Sequence, residues 1–433
     1  MLIFANFWID FIILITVLFS IIYYYCTSTF NVWKKLNVPY IRPIPLFGNY
    51  LRVALGIENP METYRKIYCE LAGFKYGGMF QMRTPYLMIR DPEIINNILI
   101  KDFSYFTDRG IYVDFKTEPL SEVLFLMNNP RWKKFRSKLS PAFSSGKLKQ
   151  MFNQIEKCGH DMINNIFAEL KKNPNDIDMR DVVAKYSMDV IGSCAFGLTL
   201  NVASDDTSLF RKYGKTAFGP SILYFIREIC VMISPAILKI LRLTFFPSKT
   251  TAFFGSVFKE TKTYREQNNV LRNDIVHALI QAHQSDENSS KDESLRKYPL
   301  MFALFRVATK TYRVPNDSLI IEKGQKIIIP TFSLHYDPKY FSDPEVFNPE
   351  RFSPKEKAMR PNGVYLPFGD GPRLCIGKRF AEMEMKLALV EILSKFEVEP
   401  SEKTMIPVQF SKLSVVVIPR DEKILLKLNP LSE

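Results

Sequence analysis

The stretch that most constrains the fold is FGDGPRLCIG, residues 368–377, which precedes an apolar helical pattern from Phe380 to Phe396. Its three glycines and one proline predict a rigid loop with close backbone approaches that a side chain would block. Cys375 stands at the entrance of the helix, two residues after Arg373. Backbone N–H groups and positive charge in such a setting favour a thiolate. We therefore expect a bulky group against this loop, and a thiolate that acts as nucleophile or metal ligand.

The positions of the histidines and of the other cysteines bear on whether this thiolate is a nucleophile or a metal ligand. A nucleophilic cysteine requires a histidine partner, and a zinc site requires further cysteine or histidine ligands at short spacing. No second cysteine or histidine lies near Cys375, and the four histidines form no recognisable pair with it: His160, His277, His283 and His335. A single axial thiolate on a haem iron needs neither kind of partner.

The N-terminus predicts a membrane anchor over residues 1–30. From Phe7 to Tyr25 the chain is almost wholly apolar, and 19 residues at ~1.5 Å each span roughly 28 Å, close to a bilayer core of about 30 Å. Basic residues follow this segment and none precedes it, which places the body of the protein on the cytoplasmic side. A cleavable signal peptide is the alternative, but a basic n-region and a clear cleavage site are lacking.

The body after the anchor is predicted to be mainly α-helical with small β-sheets. Residues 31–48 form a proline-rich linker, and residues 49–433 show no second domain boundary. Met79–Met82 with Tyr86–Ile89 predict one hairpin. A second hairpin is predicted from Leu319–Ile321 with Lys326–Ile329.

The charge of the chain bears on its partners. A net charge of +13 suits a membrane surface or an acidic protein, although an ordinary solvated basic surface explains it equally well. No long basic block or zinc-finger spacing supports binding to nucleic acid. We therefore expect no nucleic-acid partner.

Four motifs, in order, resemble one family. Phe368, Gly371, Arg373, Cys375 and Gly377 match the haem-binding signature of the cytochrome P450 family, the haem-thiolate monooxygenases. The same family has a W-x-x-x-R helix, an E-x-x-R element and a P-E-R-F segment, which resemble Trp132–Arg136, Glu293–Arg296 and Pro349–Phe352. The resemblance runs from the anchor to about Leu428. The sequences ESLRKYP and YLPFGDGPRLCIG are similar to those of the insect microsomal branch, which handles foreign compounds.

This resemblance implies haem b as cofactor and a role for each matching residue. Cys375 would be the iron ligand, and Phe368 and Gly377 would shape the cofactor loop. The haem propionates would be held by a set of aromatic and basic residues: Trp132, Arg136, Arg306, Arg373 and, on a weaker match, Arg109. Glu293, Arg296 and Arg351 would form a buried structural cluster.

The resemblance also implies an activity and partners. The family inserts one oxygen atom from O₂ into small lipophilic substrates, with electrons from an NADPH-dependent flavoprotein reductase and, in some members, from cytochrome b5. The expected location is the endoplasmic reticulum membrane. A basic stretch around the W-x-x-x-R helix resembles the reductase docking face: Lys133, Lys134, Lys138, Lys147 and Lys149. A solvated surface explains these lysines equally well.

The chain departs from the family in its middle. The helix that crosses the oxygen-binding side, with an A/G-G-x-D/E-T motif, should lie between Leu279 and Glu293, where only the polar stretch from Gln281 to Asp292 occurs. No acid–threonine motif of this form occurs in the chain, so no distal catalytic residue is assigned. We expect an incomplete fold with an internal deletion near residues 281–292. Two hypotheses follow: an active monooxygenase, or a truncated product that at most binds haem.

Overall fold

A computed structural model describes residues 7–115, 118, 121–198, 200, 202, 208–218, 221–268, 289–414 and 416–431. About half of these residues are helical. The α-helices are α1 (Phe7–Thr27), α2 (Val32–Lys35), α3 (Leu51–Ala54), α4 (Pro60–Glu70), α5 (Pro92–Asn96), α6 (Arg131–Leu139), α7 (Ser145–Lys172), α8 (Met179–Ile191), α9 (Leu209–Phe218), α10 (Ile222–Ile233), α11 (Pro235–Leu241), α12 (Ser248–Asn268), α13 (Ser289–Lys297), α14 (Thr331–His335), α15 (Pro354–Met359) and α16 (Lys378–Leu393). The prediction of a mainly helical chain with small sheets is confirmed.

The strands form three small sheets. The strands are β1 (Tyr76–Gln81), β2 (Thr84–Ile89), β3 (Ile177–Asp178), β4 (Leu304–Val307), β5 (Tyr312–Arg313), β6 (Ile320–Ile321), β7 (Lys326–Ile329), β8 (Phe396–Pro400) and β9 (Leu425–Pro430). Their orders are β1-β2-β7-β4, β3-β9-β8 and β5-β6. In the first sheet β2 and β7 are parallel and the other pairs antiparallel.

One hairpin prediction is confirmed and the other is wrong. β1 and β2 pair antiparallel through a tight turn, with Gln81 opposite Thr84. The strands β6 and β7 belong instead to different sheets. A turn does form between them, where Gln325 N–H donates to Glu322 O at 3.0 Å. However, Ile327–Ile329 are completely buried, and an unbroken apolar run is typical of a central strand rather than a half-solvated hairpin arm.

The N-terminal helix α1 is exposed, and it is the one helix among the described residues that is long and apolar enough to cross a membrane. It leaves the body beside the β1–β2 turn, where the Arg83 guanidinium lies 3.9 Å from the Tyr25 ring centre. The proline-rich stretch packs along β1. Trp33 is buried against Gly78, whose missing side chain makes room for the indole ring.

The helical part of the body is built around α7, α8 and α16. These helices enclose a core that includes Met151, Ile155, Val190 and Phe396. α9 packs against α8, and Arg211 forms an ion pair with Asp181 across this contact. Of the interval predicted to contain the deletion, residues 281–288 lie outside the described residues, and residues 289–292 form the first turn of α13.

Candidate functional site

The loop before α16 presents Cys375 to the surface. The Cys375 N–H donates to Phe368 O at 3.0 Å, and the Leu374 N–H donates to Gly371 O at 2.9 Å. Gly377 is the residue before the first turn of α16, and the Cys375 side chain is exposed. These backbone bonds hold the sulfur at the helix entrance that the sequence predicts.

The close neighbour of Gly371 is the chain itself. Gly371 has a φ of +66°, and a Cβ at this position would overlap the carbonyl of Leu99. That neighbour accounts for one of the glycines from which we expected a bulky group. At Gly377 the nearest atom to a Cβ would be a ring carbon of Phe143, at 3.8 Å.

Four arginines form what we call the arginine cluster: Arg109, Arg136, Arg306 and Arg373. Arg306 lies on β4 and is 2% exposed. Its Nη1 donates to Phe305 O at 2.8 Å, but its buried Nε has no hydrogen-bond partner. The pKa of Arg306 falls well below its usual value, first because of burial and then because of the nearby charges of Arg109 and Arg373.

The pKa values of Arg109 and Arg136 both depend on the charge of Cys375. Burial, followed by repulsion from Arg136, lowers the pKa of Arg109 to about 10, and a Cys375 thiolate opposes this shift. Burial also lowers the pKa of Arg136, which lies on α6, and the same thiolate opposes it. Arg109 Nη1 donates to Phe125 O at 2.9 Å.

Arg373 is directed toward the backbone at Thr107 and at Met127. Its Nε donates to Thr107 O and its Nη2 to Met127 O, both at 2.9 Å. Its guanidinium carbon lies 4.0 Å from the ring centre of Trp132, which is buried on α6. Burial, followed by repulsion from Arg109, lowers the pKa of Arg373 to about 9. Most of its donors therefore bind the protein's own backbone.

The arginine cluster fits an anionic ligand. The ion pair that the structure gives these four groups joins Arg373 to Asp108 at 3.6 Å, so positive charge exceeds negative charge. Buried charge without a counter-charge is costly, and the unpaired Nε of Arg306 is one donor that a carboxylate could use. Haem has two carboxylates and takes one thiolate, so the residues on the Cys375 side fit this group.

A second set of charged residues, the Glu293 cluster, consists of Glu293, Arg296 and Arg351. Arg296 Nε and Nη2 bind the two carboxylate oxygens of Glu293 at 2.7 and 2.8 Å, and both side chains have 0% exposure. Arg351 Nε lies 3.5 Å from Glu293 Oε1. Asn348 N–H also donates to this oxygen, at 3.0 Å. The structure thus brings together the three residues expected to form a structural cluster.

His335 joins the Glu293 cluster to the cysteine loop, and the sequence analysis missed this role. Its ring is fully buried, with Nδ1 3.0 Å from Arg296 O and Nε2 accepting the Leu366 N–H at 2.9 Å. Burial lowers its pKa from 6.5 to about 3. A histidine within an apolar run was the one available signal, and it does not reveal such partners.

The family comparison identifies the class of protein. The cytochrome P450 family model matches residues 38–292 and 288–426, two segments that meet at residues 288–292. The chain therefore belongs to the cytochrome P450 family, whose members are monooxygenases that bind haem b.

Curated relatives confirm the insect affiliation. The chain is 29% identical to "Probable cytochrome P450 6a14" of Drosophila melanogaster, with 95% of this chain and 97% of the relative covered. It is 30% identical to "Cytochrome P450 6k1" (94% and 95% covered) and 31% identical to "Cytochrome P450 9e2" (94% of each covered), both of Blattella germanica. The first alignment has 497 positions against the 433 residues of this chain, so at least 64 positions (497 less 433) have no counterpart here.

The first prediction concerns the Glu293 cluster. Glu293→Gln leaves the buried Arg296 charge without a full counter-charge, and we expect a loss of about 3–5 kcal/mol in unfolding free energy. Urea unfolding of the full chain in detergent, followed by tryptophan fluorescence, measures this loss. Glu169→Gln is the matched control, because Glu169 binds Lys172 at the same i, i+3 spacing in a pair where Lys172 is 66% exposed. Equal effects of the two variants would contradict the assignment.

The second prediction concerns pH. Because the pKa of His335 is lower in the folded state (about 3) than in the unfolded state (6.5), the unfolded chain binds more protons between these values. The stabilisation is complete above pH 6.5 and is lost as pH falls toward 3, by at most about 1.4 kcal/mol per pH unit. Unfolding of the full chain and of His335→Gln at several pH values measures this slope. The variant should lose less stability on acidification, and parallel slopes would contradict the prediction.

Proposed function

We propose that this chain holds haem b with the Cys375 sulfur as the iron ligand, and that three members of the arginine cluster, Arg109, Arg136 and Arg306, bind the two haem carboxylates. The observation that carries this proposal is the excess of positive charge in the arginine cluster, where Arg306 and Arg373 are buried and Arg109 and Arg136 half-buried, near the exposed Cys375. Thiolate-bound haem supplies the one-electron and O₂ chemistry of the family.

Each residue of the site would have a separate task. Arg306, Arg109 and Arg136 would bind the carboxylates. The charge of Arg109 lowers the pKa of Arg306, and the charge of Cys375 acts on both Arg109 and Arg136, so the three guanidinium groups extend from β4 toward the sulfur. Arg373 would hold the backbone at Thr107 and Met127, with Trp132 stacked on its guanidinium.

The loop residues would set the position of the sulfur. The Phe368 carbonyl fixes the Cys375 N–H, and Gly377 begins α16 without a side chain. The Glu293 cluster would fix the elements behind this loop.

The reaction we propose is monooxygenation of small lipophilic compounds, with electrons from an NADPH-dependent flavoprotein reductase and with cytochrome b5 as a further donor. Exposed lysines on and after α6 support docking of an acidic partner: Lys133, Lys134, Lys138 and Lys149. Lys147, which the sequence places in this stretch, is buried and does not belong to the surface.

The membrane arrangement is also a proposal. Residues 1–30 would anchor the chain in the endoplasmic reticulum, residues 31–48 would link the anchor to the body, and residues 49–433 would form a haem domain on the cytoplasmic side. Its support is the exposed, apolar α1 and the basic residues that follow it.

A second candidate function is favoured by the middle of the chain. We infer that an internal stretch is absent near residues 281–292, because the two family-model matches meet at residues 288–292 and the relatives' alignments exceed the length of this chain. Exposed apolar residues are also found on α8 and α16: Val183, Ile191, Leu389, Val390 and Leu393.

Such an absence would separate haem binding from monooxygenation. Without an acid–threonine pair, protons would come from water, and the reduced oxygen would leave mainly as hydrogen peroxide. This chain would then consume NADPH and produce little oxidised substrate.

The third prediction tests haem binding. The full chain, expressed in membranes with haem supplied, should give the reduced carbon monoxide difference band of thiolate ligation, and Cys375→Ser should abolish it. Arg306→Leu should weaken haem affinity by about 10- to 100-fold, since hydrogen bonds to charged groups contribute roughly 1.5–3 kcal/mol. Arg90→Leu is the control, because Arg90 also binds backbone carbonyls and stacks on a tyrosine ring, that of Tyr68. No thiolate band in the unmodified chain would refute the proposal.

The fourth prediction distinguishes the two candidate functions. With reductase and NADPH, the second candidate function predicts that most of the electrons from NADPH leave as hydrogen peroxide. Turnover of a lipophilic alkyl aryl ether should be about 10²- to 10⁴-fold below that of the 6a14 relative measured alongside. Peroxide and the released phenol are quantified in the same samples. Phenol formation that matches NADPH consumption would instead establish an active monooxygenase.

A further inference from the structure

His335 is held between two parts of the fold by both of its ring nitrogens. It lies at the end of α14 and is fully buried. Nδ1 lies 3.0 Å from Arg296 O, and Nε2 lies 2.9 Å from Leu366 N. A carbonyl only accepts and a backbone amide only donates, so the ring must be the neutral form with its proton on Nδ1.

The partner at Nδ1 belongs to the Glu293 cluster. Arg296 Nη1 donates in return to His335 O at 2.8 Å, so two hydrogen bonds join α13 and α14 at this point. The Arg296 guanidinium is itself fixed by the bidentate pair with Glu293. The Glu293–Arg296 pair therefore holds the His335 imidazole in a fixed position.

The partner at Nε2 begins the cysteine loop. The Leu366 carbonyl accepts the Gly369 N–H at 3.0 Å, and the Phe368 carbonyl accepts the Cys375 N–H at 3.0 Å. Leu366 is itself 1% exposed, so water does not readily replace an acceptor lost from its N–H. His335 thus fixes the backbone at Leu366, and the backbone hydrogen bonds within the loop position Cys375 relative to Leu366.

We infer that His335 is a positioning residue for Cys375: it fixes the start of the cysteine loop to the Glu293 cluster and thereby sets where the sulfur stands. The inference rests on the proposed role of Cys375 as haem ligand. It is more specific than a core-filling role, because filling the core requires the ring volume but neither of its two hydrogen bonds.

Two amide variants separate the two bonds. The His335→Gln side chain reaches the Nε2 position, and its carbonyl can accept the Leu366 N–H. The His335→Asn side chain reaches only the Nδ1 position, where it can donate to Arg296 O and leaves the Leu366 N–H without an acceptor. Phe341→Leu is the packing control, because the Phe341 ring lies 6.3 Å from the His335 ring centre and takes part in neither bond.

The first measurement is hydrogen–deuterium exchange of the full apoprotein in detergent, which requires no haem. In His335→Asn we expect peptides over residues 366–377 to exchange at least about tenfold faster than in the unmodified chain, the effect of losing one buried hydrogen bond. In His335→Gln and Phe341→Leu the exchange rate of these peptides should stay within about threefold of the rate in the unmodified chain. Each rate is first divided by the change in the exchange rate of the β7 peptides, which corrects for a general loss of stability.

The second measurement is the reduced carbon monoxide spectrum of the haem-loaded chain. His335→Asn should lower the thiolate fraction by about tenfold relative to His335→Gln, because a displaced sulfur is protonated or lost as ligand. Equal exchange in the two amide variants, or faster exchange spread uniformly over the chain, overturns the inference. An unmodified chain with no thiolate band refutes the proposed function, while the exchange measurement still decides the role of His335.

Discussion

The bidentate ion pair between Glu293 and Arg296 is the interaction on which the rest of the site depends. Both side chains are removed from water, so the pair is stable only if their remaining hydrogen-bonding groups find partners. They do: Arg296 also donates to His335 O and Pro344 O, and Glu293 accepts the Asn348 N–H. One buried pair thereby fixes α13, α14 and the short 3₁₀ helix that carries Arg351 relative to one another.

The arginine cluster differs from the Glu293 cluster in its charge balance. Arg296 is paired with the Glu293 carboxylate and makes four hydrogen bonds within the protein, whereas Arg306 has no ion pair among the described residues and has two cationic neighbours. A buried charge that the protein neutralises is structural, and a group of like charges that it leaves without a counter-charge favours an anionic ligand. This contrast separates two groups of arginines that the sequence alone presents as similar.

Features that depend on residues close in sequence were predicted correctly, whereas contacts between residues far apart in sequence were not. The length of α1, the tight β1–β2 turn and the i, i+3 spacing of Glu293 and Arg296 all depend on neighbours in sequence, and the structure has each of them. The placement of β7 depends on β2 and β4, which are far away in the chain. His335 gives no local signal either, because both partners of its ring are more than 30 residues distant.

The glycine loop shows the same division in one place. Its composition predicted close approaches, but not that Leu99, more than 270 residues earlier, makes one of them. At Gly371 the loop is therefore shaped by the fold itself.

The position of these residues along the chain also explains how haem binding and catalysis can separate. All members of the arginine cluster, the Glu293 cluster and the cysteine loop lie before residue 137 or after residue 288. Their mutual bonds need no side chain from the stretch between, so a shortened middle leaves the ligand side of the site intact. Proton delivery on the opposite side has no such independence, because it requires an acid and a hydroxyl placed beside the substrate. The proposed absence of an internal stretch near residues 281–292 would therefore remove proton delivery while it leaves the contacts around Cys375 and the arginine cluster in place.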